Sequence, residues 1–201
     1  QRLDNKKINK MEITCVNTIK SSEEESIIAA MERNDCVVRA ISSSFDVSYD
    51  KAHAYVKEVF QRRDQKGTRG TALKMSKLSA AFGKKITKVG EKQEDGSVKL
   101  IQRYRMNRQW KEGGYTTVSF LKKFPTGTYL VFLRQHAFTI KDGVVYGNPG
   151  DGSAKRKRIK QAFKILKIIF LFLLLPIEIC KGSKKKAYMK IKELMISANL
   201  L

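Results

Sequence analysis

Hydrophobic positions recur with a helical period in the first half of the chain and with a period of two in the second. Val37, Val38, Ile41 and Phe45 share one broad face, with Asn34 or Asp35 standing where an N-cap belongs. In YDKAHAYVKEVFQRR, Ala52, Tyr55, Val56, Val59 and Phe60 follow i, i+3, i+4, i+7, i+8 spacing and predict a second helix. KGTRGT reads as a loop, and TALKMSKLSAAFG as a third helix that ends at Gly83, a C′ glycine. TTVSFLKKF predicts a short helix, capped by Thr116 or Thr117 and stopped by Pro125. TYLVFL, HAFTI and VVYG then alternate as strands, with Asp142-Gly143 as a hairpin turn and GNPGDGS as a turn cluster. KRIKQAFKI closes this part as a strand or a helix.

The pattern is weaker elsewhere. KKITKV and VKLIQRYRM read as strands around the turn EDGS. ITCV reads as a short strand, and SSEEES, before the apolar stripe IIAAM, as a solvated acidic run or the opening of a helix. Ser21 or Ser22 would cap it, with Glu24 or Glu25 three residues on. No internal repeat is visible. Helices followed by hairpin-linked strands predict an α+β fold, N-terminal helices packed on an antiparallel sheet. The expected layout is a weakly structured segment over 1–25, an α+β domain over 26–166, and a hydrophobic, basic extension over 167–201.

Charge changes the picture most. The chain of 201 residues carries 41 Lys and Arg against 19 Asp and Glu, a net +22. Such a field favours anionic partners. Residues 153–201 hold thirteen Lys or Arg against two Glu, a net +11, half of the excess. Within them the uncharged run Ile168 to Ile177 has ten residues and contains Pro176. A membrane span needs about 20 apolar residues, so the tail is read as completing the core, as an interfacial segment on anionic lipid, or as a docking element. RYRMNRQWKEGGY interleaves Arg103, Arg105 and Arg108 with Tyr104, Trp110 and Tyr115. Its two readings are a solvated basic surface with Trp110 anchoring the core, which is preferred, and a single-stranded nucleic-acid site. No signal peptide opens the chain, and Met11 is read as a natural start.

The three cysteines, Cys15, Cys36 and Cys180, lie far apart with no Cys-x-x-Cys spacing, so neither a disulfide framework nor a zinc site is expected. A reducing, cytoplasmic compartment fits, as do no metal and no cofactor. Cys36 is the chemical candidate. In the first turn of a helix its thiolate is stabilised by unpaired amides and the dipole, and the same amides suit an oxyanion. The Asp35 carboxylate would oppose the thiolate modestly. Of the two histidines, His53 lies beside a packing face and reads as a partly buried surface residue. His136 opens a strand. If the hairpin loop were Lys141-Asp142-Gly143, His136 would face Asn148 across the ladder; a two-residue loop, Asp142-Gly143, would turn Asn148 away. Asp142 and Asp151 are the other residues in reach of orienting the histidine, though Asp142 suits the turn itself and Asp151 suits capping the next segment.

Cys36 at a helix start, His136 opening a strand and Asn148 beyond it match the order of papain-like cysteine peptidases. NDCVVRAIS, GTRGT, TTVSFLKKFPTGTYLVFL and HAFTIKDGVVYGN resemble small, phage-encoded papain-fold proteins related to peptidase C39-like and transglutaminase-like domains. The resemblance spans roughly residues 30–165. It implies Cys36 as nucleophile, His136 as general base and acid, and Asn148 as orienter, with a protein or peptide as substrate. Ala30 stands where such enzymes place an oxyanion glutamine, and Asn34 is the substitute donor. The expected function is a cysteine peptidase or related thiol-dependent amide hydrolase or acyl transferase. The alternative is a non-catalytic basic protein on an inactive protease-like fold, binding nucleic acid or an anionic membrane, or packaged in a virion. Oligomeric state is not legible.

Overall fold

The computed structural model describes residues 13–68, 74–151 and 157–167. The chain divides into two compact units, Gln1–Ile168 and Ile169–Leu201. The second lies outside the described residues, and so do the three readings of the hydrophobic tail and part of the GTRGT loop.

The strands are β1 (Cys15–Asn17), β2 (Lys84–Lys88), β3 (Glu91–Lys92), β4 (Val98–Lys99), β5 (Gln102–Met106), β6 (Gln109–Gly113), β7 (Thr128–Leu133), β8 (His136–Lys141), β9 (Val144–Gly147) and β10 (Gln161–Lys167). The helices are α1 (Thr18–Glu25), α2 (Ile27–Met31), α3 (Cys36–Phe45), α4 (Tyr49–Phe60), α5 (Met75–Phe82) and α6 (Thr117–Lys123). Six strands form one sheet in the order β1-β9-β8-β7-β10-β2. The β9-β8-β7-β10-β2 ladders are antiparallel, but β1 runs parallel to β9, so the sheet is mixed rather than antiparallel. An N-terminal strand at the far edge causes the difference. Residues 13–25 are therefore part of the domain, not a weakly structured lead. The SSEEES serines Ser21 and Ser22 lie inside α1; Asn17 caps α1 through Ile19 N, and Ser26 caps α2 through Ala29 N.

The central strands are buried on both faces, which is why β7 reads as an unbroken apolar run. Leu130, Phe132 and Ala137 meet Val37, Val38, Ile41, Phe45, Val56 and Leu78 in one core. Tyr129, Val131, Leu133, Phe138, Ile140 and Val145 meet Phe120 and Leu121 of α6 in a second core on the opposite face. The alternation along β7 and β8 sends neighbouring residues to opposite cores. Thr139, fully buried, turns its hydroxyl to α3 and donates to the Ala40 carbonyl at 2.7 Å. That bond ties the site helix to the strand that begins with His136. The α6 helix starts as expected, with a capping box between Thr116 and Ser119, and Gly83 ends α5 at φ 60°.

Candidate active site

Cys36 is the first residue of α3, and Asp35 occupies the N-cap position without capping. Its carboxylate turns away from the first-turn amides to accept from Arg39 Nε at 2.9 Å and from the Tyr49 hydroxyl at 2.9 Å. The N–H groups of the first turn are thereby left uncapped by the side chain that normally takes them. The negative charge beside Cys36 is also offset by a buried guanidinium, so the opposition expected from Asp35 is answered by Arg39. The burial of Cys36 works to raise its pKa. Hydrogen bonding to His136 and to the Ala137 backbone, with the charges of His136 and Arg39, outweighs burial and leaves the thiol more acidic than usual.

His136 lies between two groups. Its Nε2 is 2.8 Å from Asp151 Oδ2, which leaves Nδ1 for the Cys36 thiol. Burial favours the neutral ring, but the bonds to Asp151 and Cys36 dominate and raise the His136 pKa to about 9. Thiol and imidazole therefore shift in opposite directions, the condition for a thiolate–imidazolium pair near neutral pH.

Asp151, 3% exposed, is held by the turn after β9. Asn148 N donates to Asp151 Oδ2 at 2.7 Å, and Asp151 N donates back to the Asn148 carbonyl at 2.9 Å. Pro149 supplies the bend between them. Gly147 lets the carboxylate close: a Cβ there would lie 2.4 Å from Asp151 Oδ2 and 2.9 Å from Phe138 Cβ.

Asn148 does not orient the histidine. The hairpin pairs Lys141 with Val144 and Ile140 with Val145, so its loop is Asp142-Gly143, with both residues left-handed at φ 45° and 85°. An Asp-Gly pair takes that turn readily, because its twist matches the strands. The two-residue register turns Asn148 off the His136 face. Asn148 Oδ1 instead accepts from Arg39 Nη1 at 3.0 Å. Arg39 thus joins Asp35, Asn148 and, at 3.3 Å, Thr18 of α1. It was not singled out from sequence, although an arginine within the apolar stripe VVRAI, four residues after an aspartate, is the visible signal. Asp142 Oδ1 accepts from Gly127 N, a turn role remote from the site.

The cleft beside the thiol encloses about 880 Å³. Val37, Phe132 and Leu133 form apolar wall, and Asn34, Gln135, Lys160 and Gln161 bring polar groups to it. Asn34 is exposed, left-handed at φ 55°, and donates from Nδ2 to the Gln65 carbonyl at 3.2 Å. One of its two amide hydrogens is thereby used. The loop after α4 is pinned by Glu32, which accepts from Arg62 Nη2 and from Gln65 N, both at 2.8 Å. His53, buried rather than a surface residue, meets the same carboxylate at 2.9 Å. Arg62 Nη1 approaches the same His53 nitrogen at 3.1 Å, so that nitrogen serves one of the two partners at a time.

Among the described residues, Glu32, His53 and Asp64 place candidate ligand atoms within 4.8 Å of one another. Both Glu32 oxygens are already engaged and the Arg62 cation sits among them, so the group is an ion-pair cluster unsuited to a metal. Cys36 is a free thiol. No described helix is long and apolar enough to cross a membrane.

Fold and site together define a mixed α/β domain with a thiol, an imidazole and a carboxylate in series at a helix N-terminus. Comparison of the chain with protein-family models, with curated proteins and with solved structures finds no match.

Proposed function

We propose that the chain is a cysteine peptidase, or a related thiol-dependent amide hydrolase or acyl transferase, on a papain-like fold. The observation that carries this reading is His136 bridging Cys36 and the buried Asp151, with the thiol at the uncapped start of α3. The orienting group is Asp151 in place of the asparagine expected.

In the reaction, the Cys36 thiolate attacks the amide carbonyl and forms a C–S bond, and the carbonyl π pair moves onto oxygen. The Cys36 amide stabilises that oxyanion, with Asn34 as the side-chain candidate. Imidazolium His136 gives its Nδ1 proton to the nitrogen as the C–N bond breaks, and the amine leaves. Water then attacks the thioester, His136 takes a proton from it, and collapse expels the thiolate. Asp151 favours the imidazolium and fixes the ring. The apolar wall with polar groups around it suits a peptide-like substrate. A reducing, cytoplasmic setting agrees with a mechanism that needs a free thiol.

The test is the pH dependence of iodoacetamide alkylation, resolved by peptide mapping so that Cys36 in the folded chain is compared with the same peptide in the urea-unfolded chain. Cys36 should titrate below the ordinary ~8.5 and revert toward it in His136→Ala. A Cys36 that titrates in the folded chain as it does in the unfolded one, indifferent to His136→Ala, sinks the proposal.

A further inference from the structure

The single tryptophan of the chain does not anchor a core. Trp110 is 72% exposed, on a two-stranded ribbon made of β5 and β6. Leu100 and Tyr115, both buried in the second core, hold the base of the ribbon. Along the ladder Arg105 pairs with Trp110, and Arg103 with Glu112. Directly opposed residues share a face, so Trp110 lies among Arg103, Arg105 and Glu112. Arg103 is partly answered by Glu112 at 2.9 Å. Tyr104, Met106, Gln109 and Lys111 occupy the other face, where the Tyr104 ring covers Gly113.

The turn at the tip adds a second feature. Asn107 and Arg108 are both left-handed, at φ 51° and 60°. Glycine is the usual second residue of such a turn, and an arginine there carries backbone strain of about 1 kcal/mol or more. The ribbon thus holds a third guanidinium at its tip against the local conformational preference. Residues 102–113 carry three Arg, one Lys and one Glu, so Arg103, Arg105, Arg108 and Lys111 are the basic set beside Glu112.

We propose that this ribbon is a binding site for single-stranded nucleic acid, independent of the thiol site. An exposed indole stacks on a base of any identity, and guanidiniums beside it meet the flanking phosphates. The arrangement disfavours a lipid surface. Interfacial insertion needs a contiguous apolar face, whereas Trp110 and Met106 lie on opposite faces and the tip is Asn107-Arg108. The net +22 of the chain matches a polyanion.

Because Trp110 is the only tryptophan, its fluorescence reports this site directly. The full chain is titrated with 12-nucleotide oligothymidylate and oligouridylate, and with phosphatidylserine–phosphatidylcholine vesicles. Quenching by either oligonucleotide is expected, with affinity falling as salt rises. Trp110→Ala should weaken binding, followed by anisotropy of a labelled oligonucleotide, by about ten-fold. Arg105→Glu should weaken it also, and Trp110→Phe should retain most of it. Three results overturn the proposal. One is unmoved fluorescence at saturating oligonucleotide. Another is wild-type affinity in Trp110→Ala, which would assign binding to the basic tail. The last is a blue shift with vesicles and no response to oligonucleotides, which would make the ribbon a membrane contact.

Discussion

The domain contains two histidines, and each meets a carboxylate at nearly the same distance: His53 to Glu32 at 2.9 Å and His136 to Asp151 at 2.8 Å. The surroundings of each pair separate them. Glu32 is shared with the Arg62 guanidinium and with the Gln65 amide, so its charge is spent on closing a loop. Hydrogen bonding from Arg62 outweighs burial and, with His53 and Gln65, lowers the Glu32 pKa to about 2. Among the described residues, the cation that Asp151 meets is the imidazole, and the imidazole has a thiol on its far side. A histidine–carboxylate pair is thus a structural lock where a permanent cation saturates the carboxylate. It is a proton-holding device where the imidazole itself supplies the positive charge. The two pairs are joined through the segment 32–36, since Glu32 fixes the cleft wall and Cys36 comes directly after Asn34 and Asp35.

The largest expected contrast is between the two alanine variants. His136→Ala should abolish the proposed amide hydrolysis, a loss of at least about 10³-fold if the ring serves as both base and acid, and return the Cys36 thiol toward its ordinary pKa. His53→Ala should leave the thiol titration in place and lower stability by about 1–3 kcal/mol. If the two variants affect Cys36 equally, the distinction between lock and site fails.

The alkaline limb sharpens the comparison. His136 is raised above its unfolded value of ~6.5, so its contribution to stability is fully present below that pH. It is lost as pH rises through about 9. The proposed hydrolysis should fall over the same alkaline range as the imidazolium loses its proton. Gly147→Ala places a Cβ against the Asp151 carboxylate. It should shift this limb to lower pH, slow Cys36 alkylation at neutral pH, and cost about 1–3 kcal/mol of stability. Unchanged pH profiles in this variant would show that Asp151 does not set the His136 proton affinity.

The smallest effect is at the lock itself. Glu32 is depressed below its unfolded ~4.3, so its contribution is present above that pH and is lost as pH falls through about 2. Glu32→Gln should reduce stability by about 2 kcal/mol at neutral pH, and the difference from wild type should vanish in acid. Denaturant unfolding at pH 7 and near pH 2 measures both ends.

The pattern of the chain determined by itself the helices α3 to α6, the strands β7 to β9 and the prominence of Cys36 and His136. In these segments the hydrophobic period, the caps and the turn residues all point the same way, and burial on two faces of β7 and β8 leaves an unmistakable apolar run. Three things were decided only in three dimensions. The sheet is mixed because β1 reaches the edge at β9, a long-range pairing that a three-residue strand cannot announce. Trp110 is exposed because β5 and β6 pair with each other in a separate ribbon, so it does not anchor the core as expected. The orienting group is Asp151 because a one-residue change of register, set by the left-handed geometry of Asp142-Gly143, moves Asn148 to Arg39. Period-two patterns identify the faces of strands, but the choice between Asn148 and Asp151 rests on turn geometry and on which buried charge claims each side chain.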